Sequence, residues 1–277
     1  MGNYRPYAGE LLLVLLTTAV GVLGFWNVYA SPESIPQPHH HLHVATTFGW
    51  MALLFAQITS LARGSRETHR RVGLAILVAG PLLVASAALL TVHSARSAVA
   101  SNQEDFLIVQ NVLGTLWLAL ILVMAFMLKK RRKVHGALLG STLILFLGPA
   151  FFFSLIAFAP PFRIEGPETF YRFQTAGWTG LAIIIAIVLL LFMKDRRNNW
   201  PYLFAAGSYL LGEIGKATLG YLDLLDPLTR LMAAPSEAAA FIVAIIVVTA
   251  LLIPAVMTQG ARSAFGKVAF TTFNKPD

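Results

Sequence analysis

The chain has 277 residues, of which 57% are hydrophobic and 12% are charged, and its formal net charge is +8. Its mean hydropathy of +0.69 excludes a soluble globular domain, because a fold of this size has too little interior to hide so many apolar side chains. The chain contains no cysteine, which excludes disulfides, thiolate metal sites and cysteine nucleophiles. Any bound metal must therefore be held by histidine, methionine or carboxylate groups.

Long apolar runs dominate the chain, and a helix that spans a bilayer needs about 20 such residues. The first run follows Arg5 and ends near small residues, as a cleavable signal would, but we expect it to be a retained helix. The sequence predicts an all-α integral membrane protein, a bundle of about eight transmembrane helices forming one domain over residues 1–277, with a basic cytoplasmic tail at residues 258–277. The eight predicted spans lie near residues 11–28, 44–61, 72–92, 106–128, 134–158, 171–193, 202–222 and 238–256.

The basic residues predict the orientation of these spans. An amino terminus inside the cell leaves four arginines in outside loops, Arg96, Arg163, Arg172 and Arg230. The inside then receives Arg5, Arg63, Arg66, Arg70, Arg71, residues 129–133, Lys194, Arg196, Arg197, Arg262, Lys267 and Lys275. Because cytoplasmic loops are enriched in lysine and arginine, we expect both termini to be cytoplasmic. The positive charge then orients the helices, and no motif suggests a nucleic acid partner.

Two pairs of spans have similar patterns. The third span has His69 at its base and reaches Gly80 and Pro81, while the fifth has His135 at its base and reaches Gly148 and Pro149. The second and third spans are therefore expected to form a two-helix hairpin related to the fourth and fifth, with chance similarity among apolar helices as the alternative. Repeated units of this kind often carry sites between them.

Four of the seven histidines fall within residues 39–43, before the second span. If a helix begins at Pro38, which suits a first helical position, His39 and His43 share one face, His40 points elsewhere, and His93 of the third span lies at the same membrane face. Imidazoles suit zinc, copper or iron. We therefore take His39, His43 and His93 as candidate metal ligands. The alternative is a solvated histidine run without a ligand.

His69 and His135 are predicted at the opposite, inner face, beside several arginines. A haem with two histidine ligands needs one imidazole from each of two facing helices, apolar walls and cations for its propionates. His69 and His135 are thus candidates for haem b, with His43 and His93 as candidates for a haem or copper on the outer side. The alternative is that both inner histidines are ordinary interfacial residues.

The segment from His41 to Trp50 has the form HxHxxxFG. It resembles the histidine motif of the NnrS family of haem- and copper-containing membrane proteins and, more loosely, the low-spin haem helix of haem-copper oxidase core subunits. That resemblance implies His41 and His43 as ligands. A longer pattern, from His43 through the segment His69-Arg70-Arg71-Val72-Gly73 to His135 and Pro149, is similar to a group of uncharacterised bacterial inner-membrane proteins with an HxH then HRxxG pattern.

The histidines of the second, third and fifth spans also resemble those of di-haem b-type transmembrane cytochromes. The chain departs from that pattern in the fourth span, where Gln110 and Asn111 stand near the expected histidine. This departure puts an outer haem between the second and fourth spans in doubt. The resemblances together imply a multi-pass protein of the bacterial inner membrane.

Three functions are compatible with these features. The first is a protein that binds haem b or a transition metal and acts in electron transfer or in a larger membrane redox complex. The second is an outer-leaflet zinc hydrolase, with His39, His43 and His93 on zinc and Glu104, Asp105 or Glu213 as the base. The third is an accessory or assembly subunit, or a homo-oligomer, whose small residues on the seventh span pack against a partner. Glu213 and Lys216 are expected to form an internal ion pair.

Overall fold

The computed structural model describes residues 3–30, 34–103 and 105–271, with side chains up to Met257 except at position 27. This part of the chain contains helices and no strand. The ten α-helices are α1 (Ala8–Gly24), α2 (Trp26–Ala30), α3 (Pro38–Ala62), α4 (Arg66–Ser101), α5 (Ile108–Met127), α6 (Arg132–Phe158), α7 (Tyr171–Lys194), α8 (Trp200–Tyr221), α9 (Leu225–Ala233) and α10 (Glu237–Thr271). The all-α membrane bundle expected from the sequence is confirmed at this level.

Helix α6 forms the centre of the bundle. It packs against α1, α5, α7 and α8, and Leu138, Leu143, Ile144 and Leu147 along it are completely buried. Helices α3 and α4 form a hairpin beside this centre, and α10 packs along α4 and α5. A helix that is apolar on every side can either be buried by its neighbours or face lipid, and α6 is buried whereas α10 is largely exposed.

Among the described residues, seven helices are long and apolar enough to cross a membrane. They are α1, α3, α4, α5, α6, α7 and the segment Glu237–Met257 of α10. Helix α8 carries Glu213, Lys216 and several glycines, which lower its apolar character, yet it packs against α5, α6 and α7 as the other helices of the bundle do. The chain is therefore a multi-pass membrane protein with seven candidate spans.

The alternating direction of the helices gives the bundle two distinct ends. We call the end where α3 begins and α4 finishes the histidine end, because His39 and His93 lie there. We call the opposite end, where α4 and α6 begin, the basic end. The turn between α5 and α6 and the loop between α7 and α8 both lie at the basic end.

Two helices extend further than the predicted spans. Helix α3 begins at Pro38 rather than near residue 44, so that the histidine run forms its first turns. Helix α4 has 36 residues and is therefore about 54 Å long, which exceeds the roughly 30 Å of the bilayer core. The helix is therefore longer than a bilayer core requires, and its last turns carry His93 and Arg96 at the histidine end.

Candidate metal centre at the histidine end

Three side chains from three different helices meet at the histidine end of the bundle. His39 lies in the first turn of α3, His93 lies two turns before the end of α4, and Glu237 is the first residue of α10. Each offers one ligand atom, and these atoms all lie within 4.8 Å of one another. We call this group the His39–His93–Glu237 cluster.

Glu237 makes the closest contacts within the cluster. His93 Nδ1 lies 2.8 Å from Glu237 Oε1, and His39 Nδ1 lies 4.0 Å from Glu237 Oε2. Because an ionised carboxylate can only accept hydrogen bonds, His93 donates its Nδ1 proton to Glu237. The two imidazoles lie side by side, with ring centroids 3.7 Å apart and planes inclined by 35°.

The dimensions of the cluster fit a transition metal with nitrogen and oxygen ligands. Ligand atoms around a tetrahedral zinc ion at the usual bond lengths are about 3.4 Å apart. The nitrogen-to-oxygen distances of 2.8 Å and 4.0 Å lie on either side of that value. A metal would replace the proton between His93 and Glu237, and small side-chain shifts would equalise the two distances.

His39 carries a second feature that points to a ligand. Its side chain is only 9% exposed, and its Nε2 is buried without a hydrogen-bond partner among the described residues. Burying a polar nitrogen without a partner costs free energy. A metal bound through Nε2, in place of Nδ1, would offset that cost.

Local hydrogen bonds hold the first turns of α3 and α10 in position. His40 Nδ1 accepts a hydrogen bond of 3.0 Å from the backbone N–H of Gln37, which closes the start of α3. The hydroxyl of Ser236 accepts one of 3.1 Å from the backbone N–H of Ala239, as an N-cap side chain does at the start of a helix. His39 and Glu237 are therefore both fixed in the first turn of a capped helix.

Arg96 fastens the beginning of α10 to the end of α4. Its Nη1 lies 3.1 Å from the carbonyl oxygen of Pro235 and 3.4 Å from that of Ala233. Ala233 is the last residue of α9, and Pro235 belongs to the connection that leads into Glu237. Since Arg96 stands one helical turn from His93, it sets the separation between His93 and the Glu237 carboxylate.

A cleft of about 750 Å³ opens beside the cluster, between α3, α4 and α10. His39, His93 and Glu237 form one part of its wall. The rest is mainly apolar, with Leu42, Leu89, Ala238 and Phe241 continuing along the three helices. A metal in the cluster would therefore have a side facing the cleft, where a further ligand or a substrate could bind.

The structure does not bring His43 into the cluster, although His43 was the central member of the predicted metal site. His39 and His43 were expected to bind one metal together, but in the described structure they do not converge. The His43 side chain turns towards α4, where its Nδ1 lies 3.2 Å from the Ser86 hydroxyl. His41 is also separate, with Nδ1 3.1 Å from the Tyr29 hydroxyl. His40 was expected to point away, yet its ring lies 4.1 Å from that of His39.

His69 and His135, the histidines that the sequence predicts at the inner face, both lie at the basic end of the bundle, near the starts of α4 and α6. His135 Nδ1 donates to the backbone carbonyl of Ala125 at 2.7 Å, and its ring contacts that of Phe126 edge-on. His69 Nδ1 is buried and has no hydrogen-bond partner within the described ranges. Helix α4 packs mainly against α3, α9 and α10, whereas α6 packs against α1, α5, α7 and α8, so that α5 is their main shared neighbour.

The carboxylates proposed as a hydrolytic base are engaged elsewhere. Asp105 accepts hydrogen bonds from Ser94 and from the backbone of Leu107, and Glu104 lies outside the described residues. Glu213 accepts a hydrogen bond of 2.9 Å from Gln110. The expected ion pair between Glu213 and Lys216 is not among the ion pairs of the described residues.

Glu237 is the functional candidate that the sequence did not identify. Nothing in the sequence distinguishes it from other acidic residues between the predicted spans, such as Glu165 and Asp226. It joins the cluster because α10 packs along α4, and that contact links residues 144 positions apart.

Comparison with known proteins assigns no family or function to the chain. No protein-family model matches the chain, and no curated protein or solved structure gives a significant match to it.

Proposed function

We propose that this chain is a membrane metalloprotein that binds one divalent transition metal at His39, His93 and Glu237. The observation that carries the proposal is the convergence of two imidazoles and a carboxylate from α3, α4 and α10, with ligand atoms within 4.8 Å of one another. Ligand sets with two histidines and one carboxylate hold catalytic zinc in some hydrolases and iron(II) in non-haem oxygenases. Copper(II) also accepts such nitrogen and oxygen ligands.

A redox role for this metal is better supported than hydrolysis. A zinc hydrolase needs a base beside the metal-bound water, and both described candidates, Asp105 and Glu213, hydrogen-bond to other groups. Iron or copper needs no such base to exchange electrons. We therefore favour a protein that passes electrons at the histidine end, alone, as a homo-oligomer or within a larger membrane redox complex.

The cluster is unsuited to a haem held between His39 and His93. Axial imidazoles must lie on opposite faces of the macrocycle, whereas these two rings lie 3.7 Å apart with nothing between them. Haem b at His69 and His135 stays a separate prediction. It is favoured by the unpartnered Nδ1 of His69, and by the tautomer of His135, whose Nδ1 proton is donated to Ala125, leaving Nε2 available as an iron ligand.

We further propose that the metal centre faces the outside of a bacterial inner membrane. In this arrangement α8 is the eighth span, both termini are cytoplasmic, and the basic end lies inside. The distribution of lysine and arginine supports this orientation. The related positions of Pro81 in α4 and Pro149 in α6 support a repeat of two-helix hairpins, α3 with α4 and α5 with α6.

Metal analysis of the purified protein tests the proposed site. Samples are incubated separately with Zn²⁺, Fe²⁺ or Cu²⁺, washed, and measured by elemental analysis together with reduced-minus-oxidised visible spectra. We expect about one metal per chain, and its loss in His39→Ala, His93→Ala and Glu237→Ala. His41→Ala is the matched control, because His41 lies in the same helical turn outside the cluster.

The ligands predicted from the sequence and those of the His39–His93–Glu237 cluster predict different results for the variants. Loss of the metal in His41→Ala and in His43→Gln, but not in Glu237→Ala, would favour the ligands predicted from the sequence over the cluster. A haem absorption band that disappears in His135→Ala would establish the second cofactor independently.

A further inference from the structure

A strongly basic cleft lies at the basic end of the bundle, at the opposite end from the metal cluster. It has a volume of about 700 Å³ and is formed by the turn between α5 and α6 and the loop between α7 and α8. Five of its seven lining residues are cationic, and none is acidic. The lining consists of Lys130, Arg131, Arg132, Lys133, Val134, Arg197 and Asn198.

A network around Asp195 holds the two walls of the cleft together. Lys133 of α6 donates to Asp195 Oδ2 at 3.1 Å, and the side-chain amide of Asn198 lies 2.9 Å from both carboxylate oxygens. The hydrogen bonds from Asn198 and Lys133 hold the pKa of Asp195 below its ordinary value, so that Asp195 is ionised at neutral pH. The buried Asn199 side chain donates to the carbonyl of Leu191 at 2.7 Å and fixes the loop to α7.

Four cations of the cleft are not neutralised. Asp195 pairs with Lys133, whereas Lys130, Arg131, Arg132 and Arg197 form no ion pair with any residue in the described part of the chain. The amino-terminal end of α6, which carries a partial positive charge, adds to the same potential. Four like charges around one cleft repel one another, and an anion between them would relieve that repulsion.

The position and chemistry of the cleft indicate which anion fits. Lys130 follows the apolar helix α5 by three positions, and Arg197 follows α7 by three positions, so that both lie at the level of lipid headgroups. Guanidinium groups bind phosphate through paired hydrogen bonds. Basic pockets between membrane helices are suited to the phosphates of anionic lipids.

We propose that this cleft binds a phosphate group, carried by the headgroup of an anionic phospholipid or by a soluble phosphate compound. We expect Arg131 and Arg197, which lie on opposite walls of the cleft, to donate hydrogen bonds to this phosphate. The site is separate from the metal cluster, and the proposal does not depend on the metal.

Lipid retention by the full-length protein tests the proposal. The protein is purified in detergent, exchanged into mixed micelles containing phosphatidylglycerol and phosphatidylcholine, and examined by native mass spectrometry. We expect selective retention of phosphatidylglycerol by the wild type, and roughly tenfold weaker retention in the Arg131→Gln/Arg197→Gln variant, which removes two of the cations. The matched control is Arg66→Gln/Arg70→Gln, which removes the same charge from the same end of the bundle outside the cleft, and it should retain the lipid as the wild type does.

Further measurements separate the source of the phosphate from general charge effects and from misfolding. An Arg131→Lys/Arg197→Lys variant keeps the charge but loses the planar guanidinium groups, and we expect intermediate retention even if the glutamine variant does not fold. If inorganic phosphate raises the thermal unfolding temperature of the wild type and the lipid is not retained, the cleft is assigned to a soluble phosphate compound. Three results would overturn the proposal: equal loss of phosphatidylglycerol retention in the cleft variant and the control, retention by the cleft variant equal to that of the wild type, or a wild type that binds neither the lipid nor inorganic phosphate.

Discussion

At the scale of single residues, the hydrogen bond between His93 and Glu237 joins two of the three proposed metal ligands. It fixes the His93 tautomer, keeps the carboxylate close to two imidazoles, and depends on Arg96, which fastens the connection before α10. Arg96 touches none of the three proposed ligand side chains through a hydrogen bond in the described structure. It is therefore a positioning residue, and its effect on metal binding can be separated from that of the ligands.

We expect Arg96→Gln to weaken metal binding roughly tenfold, at the lower end of the effect of losing a group that orients metal ligands. All three ligands remain, so that the bound metal still reaches one per chain at saturation. Metal titration followed by dissociation-constant measurement checks this. Arg230→Gln, which removes an exposed arginine paired with Asp226 on α9, is the control and should bind as the wild type does. An unchanged affinity in Arg96→Gln would contradict the positioning role.

A second residue-scale prediction concerns the buried pair of Trp50 and Thr142. Trp50 Nε1 donates to the Thr142 hydroxyl at 2.8 Å, and both side chains are completely buried. Thr142→Val keeps the shape but leaves the indole N–H without a partner, which should lower the free energy of unfolding by about 1–3 kcal/mol. Thr142→Ser restores the hydroxyl and should recover most of the loss. Denaturant titration followed by tryptophan fluorescence measures both, and equal stability of the two variants would contradict the prediction.

The candidate site could be predicted only in part from single residues. His39 and His93 were identified because imidazole is the natural metal ligand in a chain without cysteine and because the spans placed both at one face. His43 was assigned to the same site from its spacing along α3, but the structure turns it towards Ser86. Glu237 was missed because its role depends on the contact between α10 and α4, and no pattern along the chain encodes that contact.

At the scale of elements, a side chain of α8 replaces a backbone hydrogen bond that Pro149 removes from α6. Pro149 has no N–H, so the Leu145 carbonyl one turn earlier has no partner within the helix. The Tyr209 hydroxyl of α8 lies 2.9 Å from that carbonyl and 2.8 Å from the carbonyl of Ile144. Gly148 makes this approach possible, because a Cβ at that position would lie 2.2 Å from the tyrosine oxygen.

Tyr209→Phe should therefore destabilise the bundle by about 1–3 kcal/mol, because it leaves the Leu145 carbonyl unpaired in an apolar interior. Tyr221→Phe on the same helix is the control, since Tyr221 is 88% exposed and its hydroxyl has no hydrogen bond to the described residues. Thermal unfolding in one detergent compares the two variants. If both melt at the temperature of the wild type, the Tyr209 hydroxyl does not compensate for the proline.

Most of the helices could be predicted from the sequence, because a long apolar segment in a bilayer satisfies its backbone hydrogen bonds by forming a helix. Their ends were less predictable. Helix α3 begins at Pro38 because that proline suits a first helical position and Gln37 and His40 close the turn, although hydropathy alone placed the start near residue 44. Helix α8 shows the opposite problem, since its polar and small residues lower its hydropathy although its first half is packed into the bundle.

At the scale of the whole molecule, the two ends of the bundle differ in the chemistry that they offer. The histidine end presents imidazoles and a carboxylate to an apolar cleft, and the basic end presents a concentration of lysine and arginine. Lys129 reinforces this division, because its ammonium group donates to the backbone carbonyl of Val256 at 2.6 Å and fastens α10 at the basic end. Helix α10 is thus held by Arg96 just before its first residue, Glu237, and by Lys129 at Val256.

The orientation of these ends can be measured because the chain has no cysteine of its own, so that each introduced thiol is unique. With the histidine end outside, Ser97→Cys should react with a membrane-impermeant maleimide in intact cells, whereas Thr68→Cys should react only after lysis. Tyr221→Cys decides whether α8 is a span. If α8 crosses, Tyr221 lies at the histidine end and reacts as Ser97→Cys does. Reaction of Tyr221→Cys only after lysis, together with Thr68→Cys, would show that α8 does not cross and that seven helices span the membrane.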